Sequence, residues 1–379
     1  MRREKNLFPR VVDFTNLYRA FLGASHGKRE RPEVQAFEYH LETRLWEIHD
    51  ELEDGAYGWG PFHRFWVRDP KRREIRAAPF RDRVVHHALF NVLDPIFQRG
   101  FIADSYACIP GRGTHLAVER YRAFVLGRLG RGYRVQGDVK RYFASVDHAV
   151  LLERLRRRVG DERLLTLLGT LVTHGAERPG RGMPIGSLTS QLFANVYLDA
   201  LDHFVKERLR VRYYLRYMDD FLLLTADRQE ARDRLDAVRA FLTEQLRLEL
   251  NPRRVIVAPV GEPCDLLGYV HHPDGRVRVR RRSVRRLWRR LPALERRVAA
   301  HEIGSGSARA SVASWFGLAK HADAFRLSKR IFTQRDVDNV GKRLLVRSLV
   351  IHPNLGQERR RDETCESQWL AGAERAGAP

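Results

Sequence analysis

Two β-rich runs, Val211 to Tyr217 and Phe221 to Thr225, are separated only by Met218-Asp219-Asp220. So short a separator predicts a tight antiparallel hairpin and leaves little room for another connection. It also sets two adjacent carboxylates between Tyr213, Tyr214 and Leu215 on one side and Leu222, Leu223 and Leu224 on the other. Burying such acids is costly unless cations neutralise them. Alone, the motif has two readings: a solvated Asp-Asp turn, or a cation site framed by core.

A second strand-like run, Tyr133 to Val139, carries Asp138 near its end and leads into Lys140-Arg141-Tyr142-Phe143. If the two strands lie side by side, Asp138 and Asp219 point at a common site, which divalent metals with oxygen ligands would neutralise. Mg²⁺ keeps waters and borrows substrate phosphates, so two or three protein carboxylates suffice. Two such ions can activate a 3′-hydroxyl and stabilise a pyrophosphate leaving group. His86-His87 and His271-His272 read as ordinary polar residues.

Charge narrows the partner. The 379 residues hold 69 Lys and Arg, all but eight of them Arg, against 47 Asp and Glu, for a net charge of +22. Such a surplus favours a polyanion, nucleic acid first and an anionic membrane surface second. A GC-rich genome would explain Arg over Lys, but not the net excess. No apolar stretch approaches the roughly 18 residues needed to cross a bilayer. Met-Arg-Arg-Glu-Lys leads into no apolar region, so a secretory signal is not expected. Cys108, Cys264 and Cys365 are too few and too scattered for a disulfide scaffold or a Cys-based zinc site. A soluble, cytoplasmic protein is expected.

Around the hairpin, apolar spacing predicts helices over 15–54, broken by a polar loop from Ser25 to Pro32, and again over 82–98. Phe62 to Val67 alternates weakly before an Asp69-Pro70 turn. The strongest helical pattern spans 187–209, with Ser187 as N-cap and Leu188, Leu192, Val196, Leu201, Val205 and Leu209 on one side. Asp227 and Glu230 form a capping box for the next helix, and short strands follow between Val255 and Val270. From Arg276, Arg fills nine of fifteen positions, opening a basic helical unit whose later part runs from Ser311 to Ile331. Residues 356–379 are polar and rich in Gly and Ala, a frayed end.

These pieces add up to an ordered set. Asp138 followed by Phe143, the run Gly182-Met183-Pro184-Ile185-Gly186-Ser187-Leu188-Thr189-Ser190-Gln191, Tyr217-Met218-Asp219-Asp220, and Leu266-Leu267-Gly268-Tyr269 resemble successive sequence blocks of reverse transcriptases. Upstream, Pro70-Lys71-Arg72-Arg73-Glu74-Ile75 and Asp82-Arg83-Val84-Val85-His86-His87-Ala88-Leu89 resemble the fingers blocks. Ser314-Trp315-Phe316-Gly317 resembles the thumb of prokaryotic enzymes, so the likeness spans residues 15–335. An ordered set of blocks is far more specific than any one of them. In the fourth block, Pro184-Ile185-Gly186-Ser187 stands where group II intron enzymes usually carry Pro-Gln-Gly-Gly. The run Ile185 to Tyr197 looks like the reverse transcriptases of diversity-generating retroelements, which commonly have Asn where Ser187 stands. The short thumb, without maturase or His-Asn-His endonuclease regions, fits the same class.

The resemblance implies an α+β right-hand polymerase. A helical N-terminal extension and fingers would occupy 1–130, a palm with antiparallel sheet and an interleaved fingers segment 131–275, a basic helical thumb 276–350, and a flexible tail 351–379. It implies RNA-templated DNA synthesis from dNTPs with two Mg²⁺ ions, on an RNA template with an RNA or DNA primer. The retroelement subclass adds mutagenesis at template adenines and a small basic accessory variability protein. Asp138, Val139, Asp219 and Asp220 would be the metal positions, with Asp138, Asp219 and Asp220 catalytic. Phe143 would be the steric gate that a ribose 2′-hydroxyl meets, or simply a core ring. Lys71 and Arg73 would clamp the triphosphate, or form a solvated basic turn. Arg254, where related enzymes often have Lys, would touch triphosphate or primer. Ile185 stands where many polymerases have Gln and can only pack against the nucleotide. Met218 would pack under the nascent pair, or serve as a plain turn residue. Arg280, Arg281, Arg282, Arg285 and Arg286 would contact the template–primer backbone, or form a solvated face. Trp315 is a core anchor or a stacking platform. Rival readings are a group II intron-like or phage-defence reverse transcriptase, a template-independent nucleotidyltransferase, and a catalytically silent RNA-binding module.

Overall fold

The computed structural model describes residues 3–68, 72–128 and 131–328. Lys71, the Asp69-Pro70 turn and the chain beyond 328 therefore lie outside the described residues, as does the Arg73 side chain. Two compact units result, one running to Leu267 and including His272–Gly275, the other made of Gly268–His271 and the chain from Arg276.

The first unit begins with four helices: α1 (Phe8–Val12), α2 (Phe14–Ser25), α3 (Pro32–Tyr39) and α4 (Leu41–Glu53). Asp13 caps α2 by accepting from the Asn16 amide, and Leu17 and Phe21 turn inward at helical spacing. A hairpin follows, β1 (His63–Arg68) with β2 (Arg72–Ala77), then α5 (Phe80–Gln98) and α6 (Thr114–Gly127). Helix α5 is the spine of this region: Val84, Val85, Ala88, Leu89 and Leu93 are fully covered, and α2 lies along it.

Next come β3 (Tyr133–Asp138), the short α7 (Tyr142–Ser145), α8 (His148–Arg156), α9 (Glu162–His174) and α10 (Leu188–His203). Asp161 joins two parts of the chain, for its carboxylate caps α9 through Leu164 N–H and also accepts from Leu7 and Phe8 N–H at the start of α1. The pattern of 187–209 is not one α-helix. It passes at Phe204 into a five-residue π-helical turn ending at Arg208, closed by Leu209 N–H donating to Phe204 C=O. The following run is also shorter as a strand than its β-rich sequence: Lys206 Nζ holds the Arg212 carbonyl, and β4 begins only at Tyr214.

Strands β4 (Tyr214–Tyr217), β5 (Asp220–Thr225) and β6 (Ile256–Pro259) join β3 in an antiparallel sheet ordered β4-β5-β3-β6. Helix α11 (Arg228–Leu246) crosses it with Ala231, Leu235, Val238, Leu242 and Leu246 buried. Asp227 caps the helix as expected by accepting from Glu230 N–H, while the Glu230 carboxylate reaches back one residue further than a capping box does, to Ala226 N–H. The first unit closes with the short β7 (Cys264–Leu266).

In the second unit, β8 (Tyr269–His271) pairs with β9 (Val277–Val279), followed by α12 (Arg281–Ala299) and α13 (Ser305–Ala319). Two expectations change here. The Arg-rich stretch opens as a strand, because Arg276-Val277-Arg278-Val279 alternates with the valines buried and the arginines outward. Helix α13 starts at Ser305, before the expected Ser311, and ends at Ala319; the expected end at Ile331 lies outside the described residues.

Candidate active site

The register of the sheet brings the three acids together. Asp138 stands directly opposite Asp220 in the β3–β5 pair, with Gly137 opposite Phe221. Gly137 has to be glycine, since a Cβ there would run into the Phe221 ring. Tyr217 pairs with Asp220 across β4–β5, so Met218 and Asp219 alone make the turn. Met218 has φ 57°, the left-handed value that a two-residue primed turn demands at its first position and that Gly usually supplies. For a Met this conformation stores roughly 1 kcal/mol or more, and it persists only where the surroundings hold it.

Asp138 is buried, and one carboxylate oxygen accepts from Asn251 Nδ2 at 3.2 Å. Its other oxygen lies 3.2 Å from Arg254 Nη1, which also stands 3.9 Å from Asp220. Asp219 shares a hydrogen bond with Asp138, and its pKa is pushed up to about 7 by burial first and then by Asp220 and Asp138 beside it. Like charges crowded this way create a site that favours a cation. Among the described residues no group of three or more His, Cys, Asp or Glu side chains could hold a metal ion by itself. Mg²⁺ does not require such a cage, because water and substrate phosphate complete its shell. The hard oxygen donors and their mutual repulsion therefore fit Mg²⁺. Val139 is buried and bridges Leu250 through the backbone.

The fourth block leads into α10 and is tied to α7. Phe143, half-buried on α7, accepts through its carbonyl from Met183 N–H at 2.8 Å, tying α7 to the run Met183-Pro184-Ile185. Gly186, at φ 109°, passes so near Ile75 of β2 that a Cβ would sit 3.2 Å from the Ile75 methyl. Ile75, Gly186 and Gln191 line a cavity of about 910 Å³ together with Lys28, Arg31 and Arg83. Ile185 is half-buried beside it in sequence, and Met218 packs partly against the main core. Arg73 lies in β2 opposite Val67.

Arg216 was not among the residues the sequence singled out. It lies on β4, fully buried, and forms a two-pronged ion pair with Asp202 at 2.7 and 2.8 Å. The same guanidinium donates to Asn195 Oδ1 and to the carbonyl of Met218. Asn195 and Asp202 stand seven residues apart on α10 among Leu192, Val196, Leu198 and Leu201, and that was the available signal.

Residues 68–271 match the family described as reverse transcriptase (RNA-dependent DNA polymerase). The chain belongs to the reverse transcriptase family. It is 26% identical over 271 residues to protein YkfC of Escherichia coli, covering 60% of this chain and 71% of that one. It is 22% identical over 299 residues to the group II intron-encoded protein LtrA of Lactococcus lactis, covering 60% of this chain and 49% of LtrA. This reverse transcriptase also aligns with telomerase from Candida albicans in complex with a fragment of telomeric RNA, at 13% identity and a TM-score of 0.43 over 62% of this chain and 51% of that one. The family match and the antiparallel sheet that carries the acids agree with the expected α+β fold. In its second unit Arg281, Arg282, Arg285 and Arg286 are exposed along the first turns of α12, with Arg280 partly covered at its N-cap. Trp315 donates its indole N–H to Ser283 at 3.1 Å and packs among Leu287 and Leu291. Among the described residues no helix is long and apolar enough to cross a membrane.

Proposed function

We propose that this reverse transcriptase copies an RNA template into DNA, extending a primer from dNTPs at Asp138, Asp219 and Asp220. The observation that carries it is the register that sets Asp138 opposite Asp220, with Asp219 in the turn beside them. Those carboxylates would hold Mg²⁺, whose chemistry at such a site is to activate the primer hydroxyl and stabilise the departing pyrophosphate. The chain's own residues position the reactants. Phe143 would exclude a ribose 2′-hydroxyl, Arg254 would turn from Asp138 towards triphosphate, and Lys71, just before β2, and Arg73, within it, would hold that triphosphate. In this reading 1–130 supply the N-terminal extension and fingers, 131–275 the palm, and 276–350 the thumb, with the α12 arginines on the template–primer backbone.

The finer assignment is to the diversity-generating retroelements, with an accessory variability protein as partner. It rests on Pro184-Ile185-Gly186-Ser187, where the half-buried Ile185 offers the nucleotide no hydrogen bond. Similarity to LtrA favours a second reading, a group II intron-like enzyme. Sequencing the cDNA made by wild type and by Ile185→Gln separates the two. Errors concentrated at template adenines, and reduced in Ile185→Gln, support the retroelement. Uniformly low errors, unchanged by the substitution, support the intron-like enzyme.

A further inference from the structure

We propose that Arg216 is a positioning residue for the catalytic turn: its buried guanidinium, fixed by Asp202, holds the Met218 carbonyl and so sets where Asp219 stands. The inference rests on the polymerase reading above.

The geometry is closed on every side. Nε and Nη2 of Arg216 donate to the two oxygens of Asp202 at 2.8 and 2.7 Å, and Nη1 donates to Asn195 Oδ1 at 3.1 Å and to Met218 C=O at 2.9 Å. Both members of the pair have no exposed side-chain surface. Their partners are anchored in turn. Tyr214 OH donates to Asp202 at 2.7 Å, and Asn195 Nδ2 donates to Ala107 C=O at 2.8 Å. The Arg216 backbone is pinned as well, donating to Asp104 C=O and accepting from Tyr106 N–H. A planar guanidinium has its donors in a fixed fork, so it cannot swing without breaking several bonds together.

What the fork grips is the carbonyl of a residue held at φ 57°. Such a conformation lasts only where the surroundings over-determine it, and Arg216 is the buried side chain that reaches this carbonyl. Asn195 lies one helical turn beyond Gln191 on α10, so the helix that lines the large cavity at its N-terminus also anchors the turn. A buried ion pair is weak evidence for stability, because apolar replacements of similar volume are often neutral or stabilising. That property separates positioning from mere structure.

The test compares wild type, Arg216→Lys and the double variant Arg216→Met/Asp202→Leu. Melting temperature, dNTP KM and kcat on a primed RNA template, and Mn²⁺ binding to the nucleotide-free protein by electron paramagnetic resonance would be measured. The double variant removes both charges together and should melt near wild type. Its kcat and Mn²⁺ affinity should nonetheless fall by about tenfold or more, the scale seen when outer partners of metal ligands are removed. Its KM should change less than kcat. Arg216→Lys keeps the charge but loses the fork, and should show the same split; it decides the matter if the double variant fails to fold. Wild-type kcat and Mn²⁺ affinity in a folded variant would overturn the proposal. If wild type itself makes no DNA, the polymerase reading fails instead, and Mn²⁺ affinity alone still decides the role of Arg216.

Discussion

His86 and His87 sit side by side on α5 and are held uncharged by their surroundings. Burial first, then His87, His174 and Arg83, push His86 down to about 3, and burial with Lys28 and Arg83 pushes His87 down to about 4. The sign follows from proton counting: below the ordinary histidine value near 6.5 the unfolded chain binds protons that the folded chain refuses. Stability contributed by these residues is full above that value and is lost as pH falls towards 3. Thermal melts at pH 7.5 and pH 5 should show a smaller acid loss for His86→Gln than for wild type; equal losses would contradict it. The sequence marked this pair only as ordinary polar residues, because nothing in a dipeptide reveals that Ser187 and Trp59 close over His86. Asp138, Asp219 and Asp220 were legible because each ends or joins an apolar strand. Arg216 was not, since a lone Arg within a strand reads as an outward position until Asp202 is brought beneath it.

At the scale of elements, the sheet is where one atom decides register. Gly137 leaves room for the Phe221 ring between β3 and β5. Gly137→Ala should cost about 1–3 kcal/mol, the usual range for overpacking a core, and should lower activity by moving Asp138 against Asp220. Urea melts measure the first effect, and Phe221→Leu in the same chain should recover most of it. Helices α2, α5 and α11 were legible from apolar spacing, and the cap of α11 from Asp227 and Glu230. The π-helical turn after α10 was not, because apolar positions continue through it to Leu209 while the backbone is closed by Leu209 N–H on Phe204 C=O. Strand β9 was hidden for a related reason: a high density of Arg masked the two-residue alternation of Val277 and Val279.

For the whole molecule, charge governs how it meets a partner. A net charge of +22 makes binding to a polyanion steeply salt-dependent. Replacing Arg281, Arg282, Arg285 and Arg286 together by Gln should weaken RNA–DNA duplex binding. It should also reduce the slope of log K against log salt by about 0.9 for each phosphate that is no longer neutralised. Titrations at several salt concentrations read this directly, and an unchanged slope would remove α12 from the interface. The most direct test of the central claim is dNTP incorporation on a primed RNA template with Mg²⁺, wild type beside Asp219→Ala. Template-dependent DNA from wild type is expected, with a loss of more than about a hundredfold in the variant, since removal of even an outer partner costs about 10–100-fold. Equal synthesis by both proteins, or synthesis that persists without template, would contradict the account.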